Sequence, residues 1–161
     1  MEFKLPDYNL FRMLPEIFMF VWALWVFTYD LITKRQRGTE VGYMALLGPV
    51  VPLLFIVFYF LGWHPDSWGY GGSGFGKMFF NDTTAMFFKI IFLGAAIMAI
   101  GSSFGLLEKR IVKHRGEFYG LMLLSTVGMM FLASSNELLS LYIGLELTTI
   151  PLFVLAAFFK D

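Results

Sequence analysis

Residues 138–159 read LLSLYIGLELTTIPLFVLAAFF, and Glu146 is the only ionisable carboxylate in that run. A bilayer crossing takes about 20 mostly apolar residues, so the run is long enough to span a membrane with Glu146 near its middle. A charge at that depth costs roughly 2.5–3.5 kcal/mol on insertion scales. Such a residue marks a proton or ion site by default, or else a buried partner for a cation inside a helical bundle.

The rest of the chain agrees with a membrane setting. Its 161 residues are 58% hydrophobic and 15% charged, with a mean hydropathy of +0.70. Soluble domains are usually about 45–50% apolar and about 25% charged. The net charge is zero and there is no cysteine. The first gives no basic footprint for a nucleic-acid partner. The second excludes disulfides, thiolate zinc sites, cysteine-ligated clusters and covalent haem in this chain. The N-terminal stretch MEFKLPDYNLFRMLPE has none of the layout of a cleaved signal peptide, so the first apolar run reads as a permanent span.

Five spans fit the pattern, at about 14–33, 42–62, 82–103, 117–135 and 138–159. The expected fold is therefore all-α, a polytopic helical bundle forming one membrane domain. Lys34, Arg35 and Arg37 follow the first span. Lys109, Arg110, Lys113 and Arg115 follow the third, and Lys160 follows the fifth. The opposite side has only Lys4, Arg12 and Lys77. The positive-inside rule then puts the N-terminus outside and the C-terminus inside. His64 and His114 fall on opposite sides and cannot share a metal.

Local signals add detail. Pro15 suits a first helical position, and Glu16 beside it complements the helix dipole. Asp30 and Lys34, four apart, suit an ion pair. Trp22 and Trp25 lie mid-span and are expected to pack on other helices, whereas Trp63 and Trp68 sit at the outer boundary. The loop 62–81 contains GxGxxG from Gly69 to Gly74, but without a strand before it and a helix start within it the segment reads as a flexible surface loop. Asn81 or Asp82 is expected to cap the third helix.

Three residues are candidates for chemistry. Glu146 is the first. Burial favours the protonated form of a carboxyl and a nearby cation favours the ionised form, so a carboxyl approached and abandoned by a lysine loads and releases a proton. Pro151 is the second. In a helix interior it leaves the carbonyl of Leu147 without its usual partner, opening polar backbone beside Glu146, to be met by Thr148, Thr149, another helix or water. Read only as a packing kink, it has no part in transport. Lys89, in the third span, is the third. It either snorkels to the outer interface or faces the bundle as an internal charge. The pair Gly101/Gly105 offers a small-residue packing face. Ser125, Thr126 and Gly128 in the fourth span read as packing residues. The short turn SSNE at 134–137 brings the fourth and fifth helices together antiparallel.

From Glu117 onward the sequence EFYGLMLLSTVGMMFLASSNELLSLYIGLELTTIPLFVLAAF resembles the antiporter-like subunits of respiratory complex I, and most of all subunit N of bacterial NADH:quinone oxidoreductase, called subunit 2 in mitochondria. The pieces LPEIF (Leu14 to Phe18) and NDTTAMFFKIIFLGAA (Asn81 to Ala96) are similar as well. The resemblance implies a glutamate on the fifth helix, matched by Glu146, that pairs with a lysine on a seventh helix. It joins a proton relay driven by quinone reduction elsewhere in the complex. The resemblance also implies that NADH, FMN, iron–sulfur clusters and quinone act in the complex and that none of the redox groups is bound here. Implied partners are a small carboxylate-bearing membrane subunit, a second antiporter-like subunit and the lipid of a bacterial cytoplasmic (inner) membrane. The family runs to about fourteen helices, so five would be the N-terminal part of a split or truncated subunit lacking the partner lysines. A subunit of a cation/proton antiporter or membrane-bound hydrogenase is the alternative, and a non-pumping scaffold with Glu146 in a packing ion pair is a third.

Overall fold

The computed structural model describes residues 13–32, 38–62, 72–74, 78–110 and 115–158. Five helices occupy most of them: α1 (Leu14–Ile32), α2 (Gly38–Phe60), α3 (Thr83–Arg110), α4 (Arg115–Ser134) and α5 (Leu138–Ala157). Each is long and apolar enough to cross a membrane. Between α2 and α3, β1 (Gly72–Gly74) pairs antiparallel with β2 (Phe79–Asn81), Gly72 opposite Asn81 and Gly74 opposite Phe79. Part of the segment expected to be a flexible loop is thus a small hairpin. The glycine that ends β1 is the last glycine of the GxGxxG string, which leads into a strand and not into a helix.

Helix α4 is the centre of the bundle. It packs on α1, α2, α3 and α5, and 56% of its apolar window is buried, against 17% for α5. Glycines set the closest approaches. A Cβ on Gly128 would lie 2.5 Å from the amide nitrogen of Thr148, and one on Gly144 would lie 3.1 Å from Leu132. As the α4 number rises by four, the α5 number falls by four, so the pair is antiparallel, as the short turn 134–137 predicts. Gly116 and Gly120 make the same kind of approach to α1, beneath Asp30 and Phe27. Gly42 and Gly48 do so on α2, against Phe104 and Trp22. Gly101 and Gly105 do not. A Cβ on either meets nothing within 4 Å, so the packing face expected there is absent from these helices.

The two mid-span tryptophans part company. Trp22 packs inward and donates its indole N–H to the carbonyl of Met44 at 2.9 Å, joining α1 to α2. Trp25, one turn on and only about 60° round the helix from Trp22, lies beyond the edge of the packed face and is 56% exposed. The core itself is apolar, formed by Met19, Ala23, Val26, Val41, Ala45, Ile56, Leu93, Ile100, Leu123, Val127 and Met130 around Tyr119. The basic residues Lys4, Arg12, Lys34, Arg35, Arg37, Lys77, Lys113 and Lys160 lie outside the described residues, as do both histidines, Trp63, Trp68 and Gly69. The described residues also exclude the expected partner of Asp30.

Candidate functional site: two acidic groups on separate helices

Glu146 is half-buried on α5, about 12 Å along the helix from Leu138 at 1.5 Å per residue. Its direction follows from the helical repeat. Gly144, Leu147, Thr148, Pro151 and Leu155 fall on one stripe, and Gly144 and Pro151 are buried. Gly144, Leu147 and Thr148 are the residues that meet α4 or its side chains. At about 100° per residue Glu146 stands about 200° round from Gly144, on the side turned away from α4. Tyr142 shares that side, one turn toward Leu138, close enough to the Glu146 carboxylate for the two groups to interact. The acid therefore faces out of this five-helix group.

Pro151 is buried inside α5, which continues as a helix to Ala157. The two threonines before it do not meet the Leu147 carbonyl that proline leaves without an amide. Thr148 donates its hydroxyl to the carbonyl of Gly144 at 2.8 Å, and Thr149 donates to that of Leu145 at 2.9 Å. Each hydroxyl has one proton, so both are already spent one turn back. Ser125 and Thr126 behave alike on α4. Both are buried and both donate to the carbonyl of Met122 at 2.9 Å. They are satisfied within their own helix and Glu146 faces the other way, so they fit the packing role read from the sequence.

Lys89 is 1% exposed. Its stem leans back toward the start of α3, as the tilt of helical side chains favours, but its ammonium ends inside the protein and not in solvent. The snorkelling alternative is thereby excluded. The Nζ lies 2.5 Å from a carboxylate oxygen of Glu16, which is 0% exposed. It donates to the Oδ1 of Asn81 at 2.8 Å and stands 5.2 Å from the ring centre of Phe79. This adds a role for Glu16 and decides which of the two expected residues caps α3. Glu16 serves a lysine on α3 as well as sitting in the first turn of α1, and Asn81 holds that lysine instead of capping α3. Asp82 does the capping, accepting from the amide of Ala85 at 2.7 Å.

Glu16 and Asn81 escaped the sequence reading as a pair for Lys89. The signal was a matter of depth. A lysine two turns into α3 whose stem leans back ends near the level of the first turn of α1, and Glu16 is the acid in that turn.

Strand β2 links the two acidic regions. The carbonyl of Met78 accepts from the amide of Asn136 at 3.0 Å, and the Ser140 hydroxyl, at the start of α5, lies 3.1 Å from the same oxygen. Phe79 bridges to Ser135 and its ring meets Phe131 edge-on. The hairpin thus ties the turn between α4 and α5 to the residues around Lys89.

No known family model matches the sequence. Individual proteins do. NADH-quinone oxidoreductase subunit N of Desulfitobacterium hafniense is 36% identical over 155 residues, which is 94% of this chain and 29% of that protein. Subunit N of Trichlorobacter lovleyi is 32% identical over 95% of this chain and 30% of its own length. Subunit N of Moorella thermoacetica is 51% identical over 77 residues, 48% of this chain. The chain spans about three-tenths of the length of the first two.

Proposed function

We propose, for a chain that belongs to the family of NADH-quinone oxidoreductase subunit N, that it forms part of the membrane arm of such a complex and carries Glu146 as the acid of a proton relay. The observation that carries this reading is the direction of Glu146. It sits at mid-depth in an apolar helix, with Tyr142 one turn away on the same face, and is turned away from α4, the helix on which α5 packs. A carboxylate left there against lipid would be costly. It therefore calls for a protein partner on that side, and a cation on further helices answers both the charge and the geometry.

In this reading the residues act in sequence. The Glu146 carboxylate takes up a proton when the cation withdraws and gives it up when the cation returns. Tyr142 orients the carboxylate. Pro151 leaves polar backbone on the same helix, and because Thr148 and Thr149 are spent elsewhere, that backbone is open to a neighbouring helix or to water. NADH, flavin, iron–sulfur and quinone chemistry belong to other chains of the complex, and this one binds none of them. The membrane is the bacterial cytoplasmic membrane, with the N-terminus and the β-hairpin on its outer side.

Deleting the chain from its own membrane tests the assignment. Inverted vesicles should lose NADH-driven acidification without it and recover when it is restored. Acidification at an unchanged rate in its absence overturns the reading.

A further inference from the structure

We propose that Glu16, Lys89 and Asn81 form a second proton-exchanging site, in which the Glu16 carboxylate binds and releases a proton while the Lys89 ammonium stays charged on Asn81 and Phe79. The site rests on the proton-moving reading above for its use, but not for its chemistry.

Three observations carry it. First, the pair is shielded from solvent, with Glu16 0% and Lys89 1% exposed. Two charges removed from water regain little net stability from one contact, so a buried pair is a poor device for holding a fold. Second, Glu16 is thinly compensated. Neither carboxylate oxygen receives a hydrogen bond of ordinary geometry, and the ammonium is its ion-pair partner. An ionised carboxylate offers about four lone-pair sites, so most of its capacity goes unused. Third, the lysine is held independently of the acid. The Asn81 carbonyl accepts from it, and the face of Phe79 lies within range of a cation–π attraction. Protonating Glu16 leaves Lys89 with two groups that still hold its charge.

The step balances simply. A proton from water at the hairpin end of the bundle adds to a Glu16 oxygen, converting carboxylate and ammonium to carboxylic acid and ammonium. The reverse step returns the proton to the same aqueous phase. The other described acids at this end are engaged or apart. Asp82 caps α3 through the amide of Ala85, and Glu137 is exposed at the start of α5. Lys77 lies outside the described residues. The site is also mechanically placed, since Asn81 and Phe79 belong to the strand that bridges to the α4–α5 turn.

Infrared difference spectra of the assembled complex between acidic and alkaline pH read the exchange directly. Wild type should show a carboxylic C=O band that Glu16→Gln removes, that Lys89→Arg shifts without abolishing, and that Glu146→Gln leaves in place. If Glu16→Gln fails to assemble, the double variant Glu16→Leu/Lys89→Met replaces the pair with apolar groups and should likewise lack the band. A band that persists undiminished in Glu16→Gln or in the double variant overturns the proposal. If the band behaves as expected but vesicle acidification proves independent of the chain, the site stands and the family reading falls. The two failures are thus separable.

Discussion

A single methyl group at Gly128 should loosen the bundle, whereas the same methyl at Gly101 should not. An ideal Cβ on Gly128 would sit 2.5 Å from both the amide nitrogen and the hydroxyl of Thr148 and 2.7 Å from the carbonyl carbon of Leu147. Unstrained contacts of this kind lie at about 3.5–4.0 Å. Two of the three atoms are backbone, which cannot rotate aside, so α5 must retreat by about 1 Å. Overpacking of this sort costs about 1–3 kcal/mol. The gain in helix propensity on replacing glycine by alanine returns at most about 1 kcal/mol. Gly128→Ala should therefore destabilise by about 1–2 kcal/mol, roughly a 5–30-fold change in the folding equilibrium. At Gly101 a Cβ meets nothing within 4 Å, so only the propensity term acts and Gly101→Ala should stabilise by about 0.5–1 kcal/mol. Denaturant unfolding of the two variants in mild detergent micelles, followed by circular dichroism, should move the midpoint in opposite directions. Equal shifts, or a Gly128→Ala protein at least as stable as the parent, would refute the close approach of α4 and α5.

Three further substitutions probe the other contacts. Lys89→Met leaves Glu16 buried without its cation and should cost about 3–5 kcal/mol, whereas Glu16→Leu/Lys89→Met should cost far less; a double variant as unstable as the single one contradicts the pairing. Asp82→Ala removes the acceptor for the Ala85 amide and should lower stability by about 1 kcal/mol, with Asp82→Asn as the variant that retains it in a thermal unfolding scan. Trp22→Phe deletes the indole donor to the Met44 carbonyl and should cost about 0.5–1.5 kcal/mol; fluorescence-detected unfolding with no change in midpoint would show that bond to be idle.

The helices were legible in the sequence because hydropathy over a window of about 20 residues is a strong signal. The observed α1 ends within one residue of the expected span, and α4 and α5 begin within two. What hydropathy does not encode is which side of a span faces which neighbour. Trp25 and Gly101 were both assigned to packing and both face outward, because a polar or small residue in an apolar helix has no periodic partner to fix its direction. The hairpin was missed for a related reason. Gly72–Gly74 has neither alternation nor β-branched residues, and its strand exists through pairing with Phe79–Asn81. Within the site, Glu146 and Lys89 stood out as charges in apolar runs. Glu16 did not, since an acid in the first turn already has a local explanation in the helix dipole. Its role emerged only with the distance to α3.

The central claim is that Glu146 handles protons, and the ratio of protons moved to quinones reduced tests it most directly. In the assembled complex, reconstituted into sealed vesicles, Glu146→Gln should lower that ratio while Glu146→Asp preserves a measurable part of it. A Glu146→Gln complex that moves as many protons per quinone as the parent would contradict the account.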